Sequence, residues 1–411
     1  MRFSRCKLAI TAALLGILVS PAVTQAQLSA DRDGSKIILF DVPGAGKTAG
    51  ALNCGNNLLT GCYGTTPMAN NNAGEIVGMY LTDDGVYYGF LRSADGKTKS
   101  FTAPGADTTH GDFNGTYPMA INSCGAVTGL YQGSDEVLHG FSREPNGSYV
   151  QIDVPEAGTV AFQGTWPTSI NDKGDVAGFY FDATGAHGFV RSRNGTVTRF
   201  NNPNAANGTY VALEQGLNDD GAVVGWYFDA NFVAYGYVRE PDGTFKTIEP
   251  DASSPGTLVG GINRSGASAG YYVDTSGLFF SFLREKGGTT TVFQASGEDA
   301  VEGMVAFTLN CGDEITGVTV DSNNANHGFV RFASGKIKIF DAASPNTGTG
   351  SNQGTRPTTI NDVGEVIGYY VDENNVSHGF IRYSFGMMSA NAELAPAISQ
   401  RGTRRPPSLE K

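Results

Sequence analysis

The stretch GTWPTSINDKGDVAGFYFDATGAHGFVRSRNGTVTRFNN, residues 164–202, decides the fold. It holds four short apolar or alternating runs, PTSI, DVAGFYF, AHGFVR and TVTRFNN, with turn residues between them and no helical period. The third and fourth runs are separated by Asn194-Gly195, a pair that accepts the positive φ angles of a two-residue hairpin. One such unit therefore predicts four antiparallel β-strands.

The same unit recurs through most of the chain, marked by the pattern Asn-x6-Gly-x-Tyr. The period drifts only between 45 and 51 residues, and four antiparallel strands at this period are typical of a β-propeller blade. The predicted repeats span residues of about 65–106, 115–158, 164–205, 210–253, 258–299, 305–345 and 354–386.

The two ends of the repeat region predict how the ring closes. The seventh repeat stops after HGFIRYSFG and lacks a fourth strand, whereas the segment KIILFDVPGAG, which begins at Lys36, precedes the first repeat and resembles the fourth strands of other units. A strand at residues 36–42 that completes the last blade leaves no open edge. The prediction is an all-β, seven-bladed β-propeller over residues 27–386; the alternative is an open array.

Two recurring positions are predicted to form the core, and a third is predicted to stabilise each blade. Gly-x-Tyr places a small residue where strands approach and a ring beside it, and the third strand adds another buried ring. Two residues after that ring every unit has an arginine. We interpret these arginines as structural, paired with acids or carbonyls of the same or the next blade: Arg92, Arg143, Arg191, Arg239, Arg284, Arg331 and Arg382.

The third strand also carries a family resemblance. It reads HGFSR at His139, HGFVR at His187 and His327, and HGFIR at His378. With Asn-x2-Gly upstream and an FDxPGA-like strand downstream, the region from Thr65 to Gly386 resembles the extracellular repeats of exported bacterial proteins named for a His-Ala-Phe motif, with Gly here in place of Ala. The resemblance implies export and a repeat architecture, and it brings no activity or catalytic residue.

The N-terminal residues indicate an exported protein, and the net charge limits which partners it can have. Residues 1–26 combine a basic start, an apolar run and small residues around Ala26, which is the pattern of a secretory signal peptide. Removing this leader leaves 25 basic and 40 acidic residues, a net charge of −15, which disfavours nucleic acid as a partner. Residues 387–411 are predicted to be a disordered tail, and the mature protein is expected to have no membrane span and to be a monomer, extracellular or periplasmic.

Cysteine and histidine usage predicts no metal or cofactor site. In an oxidising compartment Cys54 and Cys62 could form a disulfide that closes a small loop, and the sequence does not decide whether they do. There is no Cys/His cluster with zinc spacing. The HGF histidines alternate with Tyr and Phe in other units, so we expect them to pack as rings.

The candidate binding residues are those that the repeat leaves variable. Each unit begins with a loop of the form Gly-Thr-X-Pro, which in a propeller rims one mouth of the central channel. The sequence predicts a binding face at that rim, formed by Thr66, Tyr117, Trp166, Glu214 and Arg356. We weigh this against ordinary loop variation. The expected function is non-catalytic binding of a glycan, a peptide or an envelope partner; the alternative is a hydrolase or lyase acting on a polysaccharide or lactone through Glu214.

Overall fold

The computed structural model describes residues 28–30, 35–49, 62–109, 114–295, 302–343 and 347–383. The predicted signal peptide, Cys54 and the predicted C-terminal tail lie outside these ranges. Within them the fold is all-β, as predicted, and no helix is long and apolar enough to cross a bilayer. The strands, in chain order, are β1 (Leu28–Ala30), β2 (Lys36–Phe40), β3 (Gly64–Asn70), β4 (Ile76–Leu81), β5 (Tyr87–Arg92), β6 (Thr98–Phe101), β7 (Gly115–Ile121), β8 (Val127–Gln132), β9 (Leu138–Arg143), β10 (Tyr149–Ile152), β11 (Gly164–Ile170), β12 (Val176–Asp182), β13 (Gly185–Arg191), β14 (Val197–Phe200), β15 (Thr209–Val211), β16 (Val223–Phe228), β17 (Ala234–Arg239), β18 (Phe245–Ile248), β19 (Gly256–Ile262), β20 (Ser268–Val273), β21 (Phe279–Arg284), β22 (Thr290–Phe293), β23 (Met304–Leu309), β24 (Ile315–Val320), β25 (Asn326–Arg331), β26 (Ile337–Phe340), β27 (Gly354–Ile360), β28 (Glu365–Val371) and β29 (Ser377–Tyr383).

Consecutive strands form four-stranded antiparallel meanders. In the first, β3 pairs with β4, β4 with β5, and β5 with β6. The same order recurs from β7, β11, β15, β19 and β23. A single parallel residue pair, such as Tyr87 with Gly115, links the third strand of one meander to the first strand of the next. The first strands therefore lie innermost and surround a space that we call the central channel.

The repeat residues pack as the sequence indicates. A Cβ atom on Gly78 would lie 2.3 Å from the carbonyl oxygen of Thr66, so the strands can approach this closely only at a glycine. Phe90, its third-strand neighbour, is completely buried. The third-strand rings are all at most 1% exposed and form the centres of the clusters between neighbouring meanders: Phe90, Phe141, Phe189, Tyr237, Phe282, Phe329 and Phe380.

The N-terminal strand β2 completes the last meander. It pairs antiparallel with β29 from Lys36 opposite Tyr383 to Phe40 opposite Gly379. On the other side, Ser377 forms a parallel pair with Gly64 at the start of β3. These contacts join the last meander to the first, and the ladder contributes the fourth strand that the seventh repeat lacks.

A ring of buried asparagine side chains encircles one end of the channel. Each repeat asparagine donates from Nδ2 to the backbone carbonyl of the next; Asn71 donates to Asn122 at 3.1 Å, for example, and Asn361 donates back to Asn71 at 3.0 Å. Because a buried amide needs partners, these bonds fix the spacing of successive meanders. The members are Asn71, Asn122, Asn171, Asn218, Asn263, Asn310 and Asn361.

Five of the seven repeat arginines lie over aromatic faces, a contact that the predicted pairing with acids or carbonyls did not include. The guanidinium of Arg143 lies 5.0 Å from the ring centre of Phe101, on the outermost strand of the preceding meander, and Arg92 lies 4.9 Å from Phe40 of β2 in the same way. Arg239 and Arg284 also donate to nearby carbonyls. A ring face stabilises a partly desolvated guanidinium by cation–π attraction, without a second charge.

Candidate functional site

Four of the five predicted binding residues, all but Glu214, lie on the innermost strands, at the mouth opposite the asparagine ring. Thr66, Trp166 and Arg356 each occupy the third position of their strand, are half-buried, and pair with the residue between Gly and Tyr of the second strand. The connection that precedes β11 lies at the same mouth. We call this the aromatic mouth, for the rings described below.

Tyr117 is not exposed at this mouth, contrary to the prediction. Its side chain is 1% exposed, packs at a tilt against Tyr87 with ring centres 4.7 Å apart, and lies with Met68 and Met119 in a single apolar cluster. Two methionines fill the channel beside it and exclude solvent. This side of the channel therefore has no open surface at Tyr117.

The fourth repeat has a different register from the one predicted. Tyr210 pairs with Trp226 as Trp166 pairs with Phe179, and Val211 stands where other units have proline, so the rim position of this unit is Tyr210 and not Glu214. Three more residues separate this position from the repeat asparagine than in the other units, and counting back from that asparagine conceals the insertion. Glu214 therefore does not replace the proline; it lies in the inserted loop.

Aromatic side chains of the third and fourth meanders form the largest feature of the mouth. The Tyr210 ring is central: its centre lies 5.6 Å from Trp226 in a parallel stack, 5.4 Å from Phe179 and 5.8 Å from Phe228. Trp166 packs on Phe179 at 5.3 Å. All but Phe179 are half-buried, so part of each of these side chains remains accessible.

Sequence reasoning missed Tyr210, Trp226 and Phe228. The available signal was the position between Gly and Tyr of the second strand, which is as variable as the X position. It carries Met79, Leu130, Phe179, Trp226, Tyr271, Val318 and Tyr369.

A polar donor at the aromatic mouth lacks a partner. Within the described residues, Trp166 Nε1 is buried and makes no hydrogen bond. A buried donor left unpaired carries a desolvation cost, and a ligand or water that accepts from it removes that cost. Because this atom has essentially no exposed surface, it is not an accessible contact for a ligand at the mouth.

The inserted loop of the fourth repeat crosses the channel and leaves Glu214 half-buried. Three other meanders hold the loop: Gly216 N donates to Ser169 Oγ at 2.7 Å, Ile262 N donates to the Gln215 carbonyl at 2.9 Å, and Leu309 N donates to Gln215 Oε1 at 3.4 Å. Glu214 is thus fixed inside the ring, not on its rim.

Burial sets the protonation of Glu214. Loss of solvation raises its pKa to about 7, and the positive charge of Arg356 offsets only part of that rise. Tyr271 lies near the same pair: burial raises its pKa to about 12, and the charge of Glu214 adds to the effect. Glu214 can therefore change protonation near neutral pH, the property that general acid–base chemistry requires.

The asparagine ring lies beside a depression of about 160 Å³ at the other mouth. Glu214 also lines this depression, whereas other charged groups there bind one another: Arg264 donates to Asp219 and Asp172, each at 2.8 Å. Cys311 is a free exposed thiol here, and its pKa is raised by burial and by the neighbouring Asp362. We assign these groups to the structure of the ring, because they bind one another.

The remaining cysteines leave the predicted bridge untested. Cys62 and Cys124 are both disulfide-bonded. Cys54 lies outside the described residues, so the Cys54–Cys62 pair stays a prediction.

The HGF histidines pack as aromatic rings, as predicted. His139, His187 and His378 stack on second-strand tyrosines with ring centres 4.9 to 5.2 Å apart. In the part of the chain that the structure describes, no group of three or more His, Cys, Asp or Glu side chains is placed to hold a metal ion. The acids that follow Gly-x-Tyr cap turns: Asp274 Oδ1, for example, accepts from the backbone N of Ser276 at 2.8 Å.

Comparison with known proteins shows the fold. No protein-family model matches the sequence, and no curated protein is significantly similar to it. Among solved structures, virginiamycin B lyase from Staphylococcus aureus is 14% identical, with a TM-score of 0.50 over 85% of this chain and 100% of that one. The BP39L lectin from Burkholderia pseudomallei is 8% identical, with a TM-score of 0.48 over 76% and 94%. TolB from Acinetobacter baumannii is 11% identical, with a TM-score of 0.44 over 65% and 63%. At these identities the similarity concerns the fold alone, which is that of a β-propeller.

Proposed function

We propose that the protein is an exported, monomeric, seven-bladed propeller that binds a neutral glycan at the aromatic mouth without catalysis. The closed asparagine ring and the pairing of β2 with β29 support seven blades. The signal-peptide pattern and the resemblance to His-Ala-Phe repeats support export.

The observation that carries the binding function is the half-exposed ring cluster around Tyr210. Aromatic faces are electron-rich, and they attract the polarised C–H groups of a sugar ring while excluding water from it. The hydroxyl of half-buried Tyr210 adds a polar contact beside these rings. A ligand with one apolar face and many hydroxyls, such as a pyranose, matches both features.

Charge favours a neutral ligand over an anionic one. The second-to-third strand turns at this mouth carry Asp135, Asp182, Asp229 and Asp274, all at the surface or half-exposed. An anionic polymer would be repelled by these carboxylates, whereas a neutral sugar pays no such cost.

The test is a glycan array probed with the labelled mature protein and two variants. Trp166→Ala and Tyr210→Ala should each lose most of the signal on neutral glycans, because each removes a stacking surface. Tyr149→Ala, a change of the same type on outermost strand β10, is the matched control and should bind as the parent does. Equal binding by all four proteins, or binding restricted to a peptide library, would refute the glycan site.

Glu214 supports a second candidate, a hydrolase or lyase acting on a polysaccharide or lactone. Its pKa of about 7 and its burial next to Arg356 suit a general acid or base. Turnover on a polysaccharide panel that disappears in Glu214→Gln while glycan binding persists would establish this function in place of pure binding.

A further inference from the structure

Phe232 occupies a turn position that normally excludes large side chains. It lies between β16 and β17 with a φ of 61°, in the left-handed region that favours glycine and asparagine. The corresponding turn residues of the other meanders are Gly85, Glu136, Gly185, Gly277, Asn324 and Asn375, all with positive φ. A phenylalanine here strains the backbone, so we expect its ring to make a contact that offsets the strain.

Burial of the Phe232 ring does not offset this backbone strain. The Phe232 side chain is 70% exposed, the highest value among the large apolar side chains that are exposed in the described ranges. An exposed ring gains little from the hydrophobic effect on folding. The strain and the exposure together make Phe232 unfavourable to the fold, which indicates a role in contact with something else.

Phe162, one meander away, also has a positive φ and an exposed ring, although it makes a contact of its own within the protein. Its φ is 63°, its side chain is 53% exposed, and its backbone N donates to the carbonyl of Glu136 at 2.9 Å. Asn352 makes the equivalent bond, to the carbonyl of Asn324 at 2.8 Å, with a φ of 65°. Phe162 therefore takes a left-handed position that asparagine fills in the last meander.

Both phenylalanines lie at the aromatic mouth. Phe162 precedes β11 by two residues, and Trp166 is the third residue of that strand. Phe232 follows β16, which ends at Phe228 in contact with Tyr210. The two rings thus continue the ring cluster outward, one on each side of the third meander.

We propose that Phe162 and Phe232 form an outer rim that holds a chain-like neutral glycan, with the Tyr210 cluster binding one sugar and the rim stacking on sugars further along the chain. This inference rests on the proposed function. Two separated flat surfaces beyond a central one match a polymer, since a single sugar cannot reach all three. The acids around the rim, Glu136 among them, exclude an anionic chain for the reason given above.

The test compares short and long probes on variants that restore the usual turn residue. Phe232→Asn, alone and with Phe162→Asn, is titrated calorimetrically with disaccharides and hexasaccharides of the cello- and chito- series. We expect the hexasaccharide affinity to fall about tenfold in the double variant, disaccharide affinity to stay as in the parent, and the Tm to be equal or higher. The matched control is Asn324→Gly, which changes the same turn position in the meander that begins at β23 without removing a ring and should leave both affinities unchanged.

The outcomes separate the rim from the central site. If the parent binds both probes and the double variant binds them equally well, the rim proposal is wrong and the central site is unaffected. An equal loss for both probe lengths also overturns the rim. A parent that self-associates in sedimentation, and is made monomeric by the double variant, assigns the rim to a second copy of the chain instead. A parent that binds no glycan of either length refutes the proposed function itself.

Discussion

His378 Nδ1 lies 3.0 Å from Asp41 Oδ1, although 337 residues separate them in sequence. Asp41 directly follows β2, and His378 belongs to β29, so this bond holds the first strand of the ring to the last one. Asp372 lies on the other side of the imidazole, 3.6 Å from Nε2. The closing strand is therefore attached by a charged contact in addition to its backbone ladder.

The contact makes ring closure depend on pH. Burial lowers the pKa of His378, but the hydrogen bond and charge of Asp41 outweigh this, so the pKa lies above its ordinary value. A histidine whose pKa is raised by folding stabilises the protein fully below its unfolded pKa of about 6.5, and this contribution is lost as the pH rises through the folded pKa. Asp41→Asn should lower the Tm most at acid pH and progressively less as the pH increases.

Thermal unfolding of the parent and Asp41→Asn across this pH range checks the prediction. His378→Tyr is the control, since tyrosine occupies this position at Tyr88, stacked on Tyr80. It should keep the stack and lose the pH-dependent difference. A Tm difference between parent and Asp41→Asn that does not vary with pH contradicts the charged clamp.

Phe40 tests whether the closing strand contributes as much as an internal one. It lies under Arg92 and touches Phe90 edge-on, with ring centres 6.3 Å apart, as Phe101 lies under Arg143. Phe40→Ala should lower the free energy of unfolding by about 3 kcal/mol, the cost of deleting a packed aromatic side chain. Phe101→Ala should cost the same in chemical denaturation. A loss confined to Phe101→Ala would mean that the closing strand is not docked.

The asparagine ring predicts a large effect from a small truncation. Asn171 donates from Nδ2 to the Asn218 carbonyl and accepts at Oδ1 from the backbone N of Lys173 and Asp175. Asn171→Ala removes three buried bonds and should cost about 3 kcal/mol. Asn146→Ala, in an exposed turn, is the control and should cost less than about 1 kcal/mol. Equal denaturation midpoints for the two variants would contradict a structural role for the ring.

Glu214 should make the parent lose stability as the pH rises through the acid range. Its carboxyl has a pKa raised to about 7 by burial, so the folded state holds a proton that the unfolded state releases at about 4.3. The free energy of unfolding of the parent should therefore fall, relative to Glu214→Gln, between pH of about 4.3 and about 7, and then stay level. Denaturant titrations of both proteins measure this difference, and a constant difference across that range would place Glu214 in solvent.

The sequence predicts the features that repetition encodes. Gly78 and Phe90 recur in every unit because each strand crossing has the same steric requirement, and Lys36–Phe40 matches other fourth strands because it occupies the same place. The ring partner of Arg143 was missed because Phe101 belongs to the preceding unit, and contacts between repeats have no signature within one repeat.

The site was harder to predict because it lies where the repeat is broken. The insertion before Asn218 shifts the register by three residues, so Tyr210 escaped detection and Glu214 was placed on the rim. Tyr117 was expected at the surface because its position is variable, but Met68 and Met119 fill the channel around it. Sequence variability identifies the position that faces the channel. It does not show whether neighbouring side chains leave that position exposed to solvent.

Intrinsic tryptophan fluorescence tests glycan binding at the aromatic mouth most directly. The chain has two tryptophans, Trp166 and Trp226, and both belong to the cluster around Tyr210, so emission reports on this site alone. Titration with neutral oligosaccharides should give a saturable change in emission that Tyr210→Ala abolishes while retaining both tryptophans. Emission that stays constant across a broad neutral panel, in protein that unfolds cooperatively, would contradict the account.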